Sequence, residues 1–157
     1  MPFAKDIMVT SFDVIHKDAF VEEAIEKIAV GKVRHTGHKT ISLLVIDDFR
    51  KLTGVLTMFD ILYHLRPTFL NYGVDGDELG FEWDAYLERF IEDLKAKRVE
   101  QIMSENVIGA DVDEHLMVIL DRMVKNKYRR LPVLDSGRPV GVVYISDIYA
   151  YLFSGRK

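Results

Sequence analysis

The stretch GVLTMFDIL, residues 54–62, is written a second time as GVVYISDIY, residues 141–149. Gly54/Gly141, Val55/Val142, Asp60/Asp147 and Ile61/Ile148 are identical between the two. Working back from this pair, LLVID (43–47) answers LPVLD (131–135), and KDIM (5–8) answers EQIM (100–103). Between those blocks DAFVEEAIEKIA (18–29) answers DEHLMVILDRMV (113–124), with apolar and charged positions largely in step. Blocks recurring in one order mark an internal duplication, and a duplication sets the fold before any local propensity does.

Each block has a predicted structure. In 18–29, Phe20, Val21, Ala24, Ile25 and Ile28 fall at helical spacing. Asp18 is the expected cap and Gly31 the expected stop. Leu116, Ile119, Leu120, Met123 and Val124 repeat that face, with Asp113 as cap and Asn126 near the end. ISLLVID and RLPVLD are short apolar runs ending in turn residues, so they predict buried strands. DFRKLTG and SGRPVG are turns. GVLT and GVVYI are further strands that pass straight into helices, roughly 58–65 and 147–153. Each copy therefore predicts strand, helix, strand, strand, helix with a tight hairpin. The boundaries are 1–65 for the first copy and 99–157 for the second. Residues 66–98 lie between them, a loop (66–80) and then a helix with Trp83, Leu87, Phe90, Ile91 and Leu94 on one face. That stripe is expected to pack on its own domain, with a partner subunit as the alternative.

Composition narrows the function. A chain of 157 residues that is 48% hydrophobic can bury a core, and disorder is not expected. A formal net charge of -4 argues against a general nucleic-acid binder, though not against a small anion in a local basic pocket. No cysteine is present, which excludes disulfides and thiolate chemistry. No run approaches the length of a membrane span, and no secretory pattern opens the chain. The expectation is a cytoplasmic protein that does not touch membranes. No nucleophile–base pair, phosphate-binding Gly-rich loop or metal-ligand cluster is visible, so an enzyme is not expected. His35 and His38 lack a third ligand at metal spacing and read as a helix–strand loop.

The ordered double occurrence, carried most specifically by RRLPVLDSGRPVGVVYISDIY and GVLTMFDIL, resembles a pair of cystathionine-β-synthase-type (CBS) domains, a stand-alone Bateman module. The resemblance covers about residues 3–65 and 99–153. It implies an α/β (α+β) fold of two βαββα-type repeats, each with a three-stranded sheet. The repeats are expected to pack sheet to sheet about a pseudo-twofold axis, with the extra helix between them. It also implies two clefts that bind AMP, ADP, ATP or S-adenosylmethionine and regulate a partner protein, with no cofactor required.

Within that resemblance Asp60 and Asp147 are similar to a ribose-binding carboxylate, and Thr57 to a phosphate-binding hydroxyl. A strand ending at a helix start suits phosphate, because the first helical N–H groups lack partners. The residues also allow a second reading, in which Thr57-x-x-Asp60 is a capping box. Tyr144 stands where Thr57 does and cannot make the same cap, which favours a ligand role for Asp147, with Ser146 beside it as a substitute hydroxyl. Arg129 and Arg130, just before LPVLD, are candidate phosphate contacts that favour the second copy. The first copy has Ser42 at the Arg130 position, with Lys39 upstream. An apolar face made of Ile61, Leu62, Tyr63 and Leu65 in one copy, and Ile148, Tyr149, Tyr151 and Leu152 in the other, is the expected homodimer interface.

Overall fold

The structure, a computed structural model, describes residues 2–31, 42–67 and 82–154. His35, His38 and Lys39, with most of the expected 66–80 loop, lie outside the described residues.

The first repeat runs β1 (Val14–His16), α2 (Val21–Val30), β2 (Ser42–Ile46), β3 (Leu52–Thr57), α3 (Met58–Leu65). It is preceded by the short helix α1 (Ala4–Ile7). The second runs β4 (Ala110–Asp111), α5 (Leu116–Asn126), β5 (Arg130–Asp135), β6 (Arg138–Tyr144), α6 (Ile145–Phe153). Helix α4 (Trp83–Lys95) and a 3₁₀ turn (Val99–Gln101) join the two. Each repeat forms a three-stranded sheet in chain order, with the first two strands parallel and the last two an antiparallel hairpin. The register shifts at the same place in both hairpins, Val45/Ile46 and Val133/Leu134. The duplication thus extends to backbone irregularities.

The hairpins close differently. In the second, Ser136 and Gly137 both take positive φ, 54° and 83°, as a two-residue turn between right-twisted strands demands. In the first, Asp47 Oδ1 accepts from the backbone N–H of Phe49 (2.8 Å) and Lys51 (3.0 Å) and so holds a longer turn. These bonds, Lys51's first, hold the Asp47 carboxyl below its usual range.

The helix caps differ from expectation. Phe20, not Asp18, is the N-cap of α2, and no side chain caps it. His115, not Asp113, caps α5, its Nδ1 accepting from Met117 N at 3.0 Å. Both acids sit two residues before the observed N-cap. Helix α6 begins at Ile145, two residues before the expected start.

Two apolar cores form, and the chain crosses between them. Ile15, Val21, Ala24, Leu43, Val45 and Leu56 build the first core together with Leu94, Val99 and Ile102 from the junction. Leu116, Ile119, Met123, Leu131, Val133, Val143 and Ile148 build the second together with Ala4 of α1. The segment leading into each repeat therefore completes the other repeat's core. Backbone bridges fix both crossings: Val9 pairs with Val142, and Ser104 with Val55. The repeated glycines lie at these crossings, where Gly141 faces Met8 and Gly54 faces Met103. A third cluster, Leu44, Val142 and Tyr144 with Val9, Phe12, Val14, Leu52 and Val55 around it, joins the two sheets.

Helix α4 packs on α2 and α3. Its buried face is Tyr86 and Leu94, whereas Trp83 and Leu87 of the expected stripe stay exposed. Tyr86 stacks on Phe90 and donates its hydroxyl to the Leu65 carbonyl at the end of α3. The expected interface face is also partly internal. Ile148 is 1% exposed, and Ile61, Leu65, Tyr151 and Leu152 pack against the cores. The exposed apolar residues on these helices are Met58, Phe59, Leu62 and Tyr63 on α3, and Tyr149 and Phe153 on α6.

Candidate functional site

Strands β2 and β5 begin side by side. Their first residues are repeat mates, and Arg130 Nη1 donates to Ser42 Oγ at 3.1 Å. At the far end the hairpin turns also meet: Leu52 N donates to the Gly137 carbonyl and Arg138 Nε to that of Phe49, each at 2.9 Å. The sheets are thus pinned at both ends, and a cavity of about 660 Å³ opens beside the Ser42–Arg130 contact.

Both repeats build its wall. Leu44, Val55, Val142 and Tyr144 give an apolar floor. Lys127, Arg129 and Arg130 bring positive charge, while Asp13 and Glu105 bring negative charge. Ser42, Thr57, Ser104 and Asn106 add neutral polar groups. An apolar floor with few convergent polar groups is the common form of a small-molecule site, and two guanidiniums suit an anion.

Thr57, Arg129 and Arg130 of the expected site line this cavity. The arginines, expected beside Asp147, share it with the first copy's Thr57. Asp60 stands directly behind the wall, bonded to two wall residues. Its Oδ2 accepts from Thr57 N (2.9 Å) and Thr57 Oγ1 (3.0 Å), and its own N–H donates to Thr57 Oγ1 at 3.1 Å. The capping box is therefore formed, and the Thr57 hydroxyl proton is committed to Asp60. The other oxygen, Oδ1, accepts from Ser104 Oγ at 3.0 Å. Ser146 is exposed on the first turn of α6, and Asp147 is half-buried there, neither of them in the cavity wall. Tyr144 makes no side-chain cap, as its size dictates, and its ring is 7% exposed in the inter-sheet cluster.

Ser104, Glu105, Asn106, Asp13 and Lys127 belong to the wall without having been anticipated. One signal was available for Ser104. It follows the repeated "IM" of the second copy, where the first copy has Val9. The second leading segment thus carries a hydroxyl to the first repeat's Asp60.

Among the described residues, no group of three or more His, Asp or Glu is placed to hold a metal ion, and no helix is long and apolar enough to cross a membrane.

Known proteins bear on this arrangement. L-aspartate semialdehyde sulfurtransferase of Methanocaldococcus jannaschii is 25% identical over 153 residues. The match takes in 98% of this chain but 23% of that protein, so the chain spans about a quarter of its relative's length. The structure of CBSX2 in complex with AMP superposes with a TM-score of 0.68 at 21% identity, covering 99% of this chain and 98% of that one. The CBS domain pair of protein MJ0100, in complex with 5′-methylthioadenosine and S-adenosyl-L-methionine, superposes with a TM-score of 0.63 at 25% identity, again covering 99% and 98%. The family model described as CBS domain matches residues 4–67 and 99–154, the two copies traced above. The duplicated sheets, the crossing of the leading segments and this match agree: the chain belongs to the CBS domain family, as a tandem pair.

Proposed function

We propose that the chain is a regulatory module that binds an adenosyl ligand, AMP, ADP, ATP or S-adenosylmethionine, between its repeats. The observation that carries this is the cavity of about 660 Å³ walled by both repeats, with an apolar floor for a base and Arg129 and Arg130 for phosphate. Thr57, Asp60, Ser146 and Asp147 remain candidate contacts at the two helix starts. The adenosyl compounds held by CBSX2 and by the MJ0100 pair support this ligand class. A ligand touching both repeats biases their relative packing, so regulation of a partner protein follows by population shift rather than by catalysis. The module is a cytoplasmic homodimer in this reading, associating through the exposed Phe59, Leu62, Tyr63, Tyr149 and Phe153.

Isothermal titration with AMP, ATP and S-adenosylmethionine tests the ligand. A ligand at a hundredfold excess over Kd stabilises the fold by about 2.7 kcal/mol, so melting shifts by several degrees. Arg130→Ala weakens AMP and ATP and spares adenosine, because only the phosphate contact is lost. Absence of heat and of a melting shift with every adenosyl compound rejects the proposal. A ligand-free interaction module is the second reading, and the closed capping box at Thr57–Asp60 favours it.

A further inference from the structure

Asp60 is nearly full. A carboxylate offers about four acceptor positions, two on each oxygen. Oδ2 uses both, for Thr57 N and Thr57 Oγ1. Oδ1 uses one, for Ser104 Oγ. A single acceptor position remains, on Oδ1, the oxygen bonded to Ser104 in the cavity wall. The backbone of Ser104 is held in place. Its N–H donates to the Val55 carbonyl at 2.9 Å and its carbonyl accepts from Val55 N at 3.0 Å, so its backbone is fixed against β3. The first copy has Val9 at the matching place.

We propose that Ser104 is a specificity-determining residue that limits Asp60 to one hydroxyl of a bound ligand. A cis-diol presented to this carboxylate is then held by one arm, and the second hydroxyl goes unread. The site discriminates against the loss of one ribose hydroxyl and tolerates the loss of the other. Removing the Ser104 hydroxyl frees the second position on Oδ1 and makes both ribose hydroxyls count. This rests on the adenosyl-ligand reading above.

Calorimetry with AMP, 2′-deoxyAMP and 3′-deoxyAMP tests it on the wild type, Ser104→Ala and Ser104→Thr. A hydrogen bond to a charged group is worth about tenfold in affinity at its lower end. In the wild type, one deoxy analogue therefore binds about tenfold more weakly than AMP and the other equals AMP. In Ser104→Ala both analogues bind about tenfold more weakly than AMP, while Ser104→Thr keeps the wild-type pattern. A wild type that loses affinity with both analogues overturns the inference, and so does a Ser104→Ala protein with the wild-type pattern. In either case AMP still binds and the adenosyl reading stands. If none of the three nucleotides binds the wild type, the adenosyl reading itself falls and takes this inference with it. Melting curves of the two variants without ligand confirm that the exposed Ser104 side chain has been changed without loss of the fold.

Discussion

The two repeated glycines answer to different neighbours, and alanine at each should cost different amounts. A Cβ at Gly54 would lie 2.6 Å from Met103 Sδ and 2.7 Å from the Ser104 carbonyl oxygen. A Cβ at Gly141 would lie 2.6, 2.8 and 3.0 Å from Sδ, Cγ and Cβ of Met8. The second clash is with one unbranched, adaptable side chain. The first includes a backbone oxygen that is itself bonded to Val55 N. Relieving it means moving Ser104 off β3 and giving up the two backbone hydrogen bonds of that bridge. Overpacking costs about 1–3 kcal/mol. The two hydrogen bonds add about 0.5–1.5 kcal/mol each, and alanine returns about 0.5–1 kcal/mol of backbone entropy. Gly54→Ala is therefore expected to lose about 3 kcal/mol and Gly141→Ala about 1 kcal/mol or less. Urea unfolding followed by circular dichroism and by the fluorescence of Trp83, the single tryptophan, measures both. Coincident transitions license the comparison. Adding Met8→Ala should relieve Gly141→Ala of its two closest contacts, Sδ and Cγ, whereas Met103→Ala should not rescue Gly54→Ala, because the carbonyl stays. Equal costs for the two glycine variants, or rescue by Met103→Ala, would refute the reasoning.

Three further outcomes follow from single contacts. Asp60→Ala removes the return half of the capping box and is expected to cost about 0.5–2 kcal/mol in the same unfolding assay without ligand. Glu114 is held below its ordinary value of 4.5, first by its hydrogen bonds from Arg122 (2.8 and 2.7 Å). A depressed carboxyl contributes stability above its unfolded value and loses it as pH falls through the folded value. Unfolding free energy should therefore fall below about pH 4.5 in the wild type, and Glu114→Gln should flatten that limb. Tyr86 is raised above its ordinary value of 10.0 by burial. Its contribution is full below pH 10 and lost as pH rises through the folded value, so Tyr86→Phe should lower stability near neutrality by about 1 kcal/mol and remove the alkaline loss.

The duplication made most of the fold legible. Offsets between blocks placed the two hairpin strands of each copy, because a period is set by covalent order and does not depend on packing, whereas β1 (Val14–His16) and β4 (Ala110–Asp111) fall between the matched blocks. Capping was misjudged where the chain enters a helix late. Asp18 and Asp113 have the right chemistry, but the backbone starts its helix after Phe20 and His115, which bridge to Arg98 and Phe3 of the opposite leading segments. Tertiary pairing, absent from local sequence, decided those ends. Helix α4 shows the same limit. Its stripe was read on helical spacing, yet Tyr86 is buried because the Leu65 carbonyl accepts its hydroxyl, while Trp83 remains outside. At the site, residue types near Thr57 and Arg130 were readable because the motif repeats. That these two share one cavity was not readable, since it depends on which ends of β2 and β5 meet across the axis. The capping alternative at Thr57–Asp60 could be written from spacing, and its hydrogen bonds are present.

The crossing of the leading segments has a consequence for how the two halves hold together. A half containing only the first repeat would keep Val21 and Leu56 but lose Val99 and Ile102, and would offer Ala4 to a core it does not possess. Two separate halves could meet those needs only by finding each other, at a rate and extent fixed by their concentration. Joining them through residues 66–98 makes the encounter intramolecular, with an effective concentration set by the tether rather than by dilution. The connection between the repeats thus acts as a tether that turns an association equilibrium into a folding one.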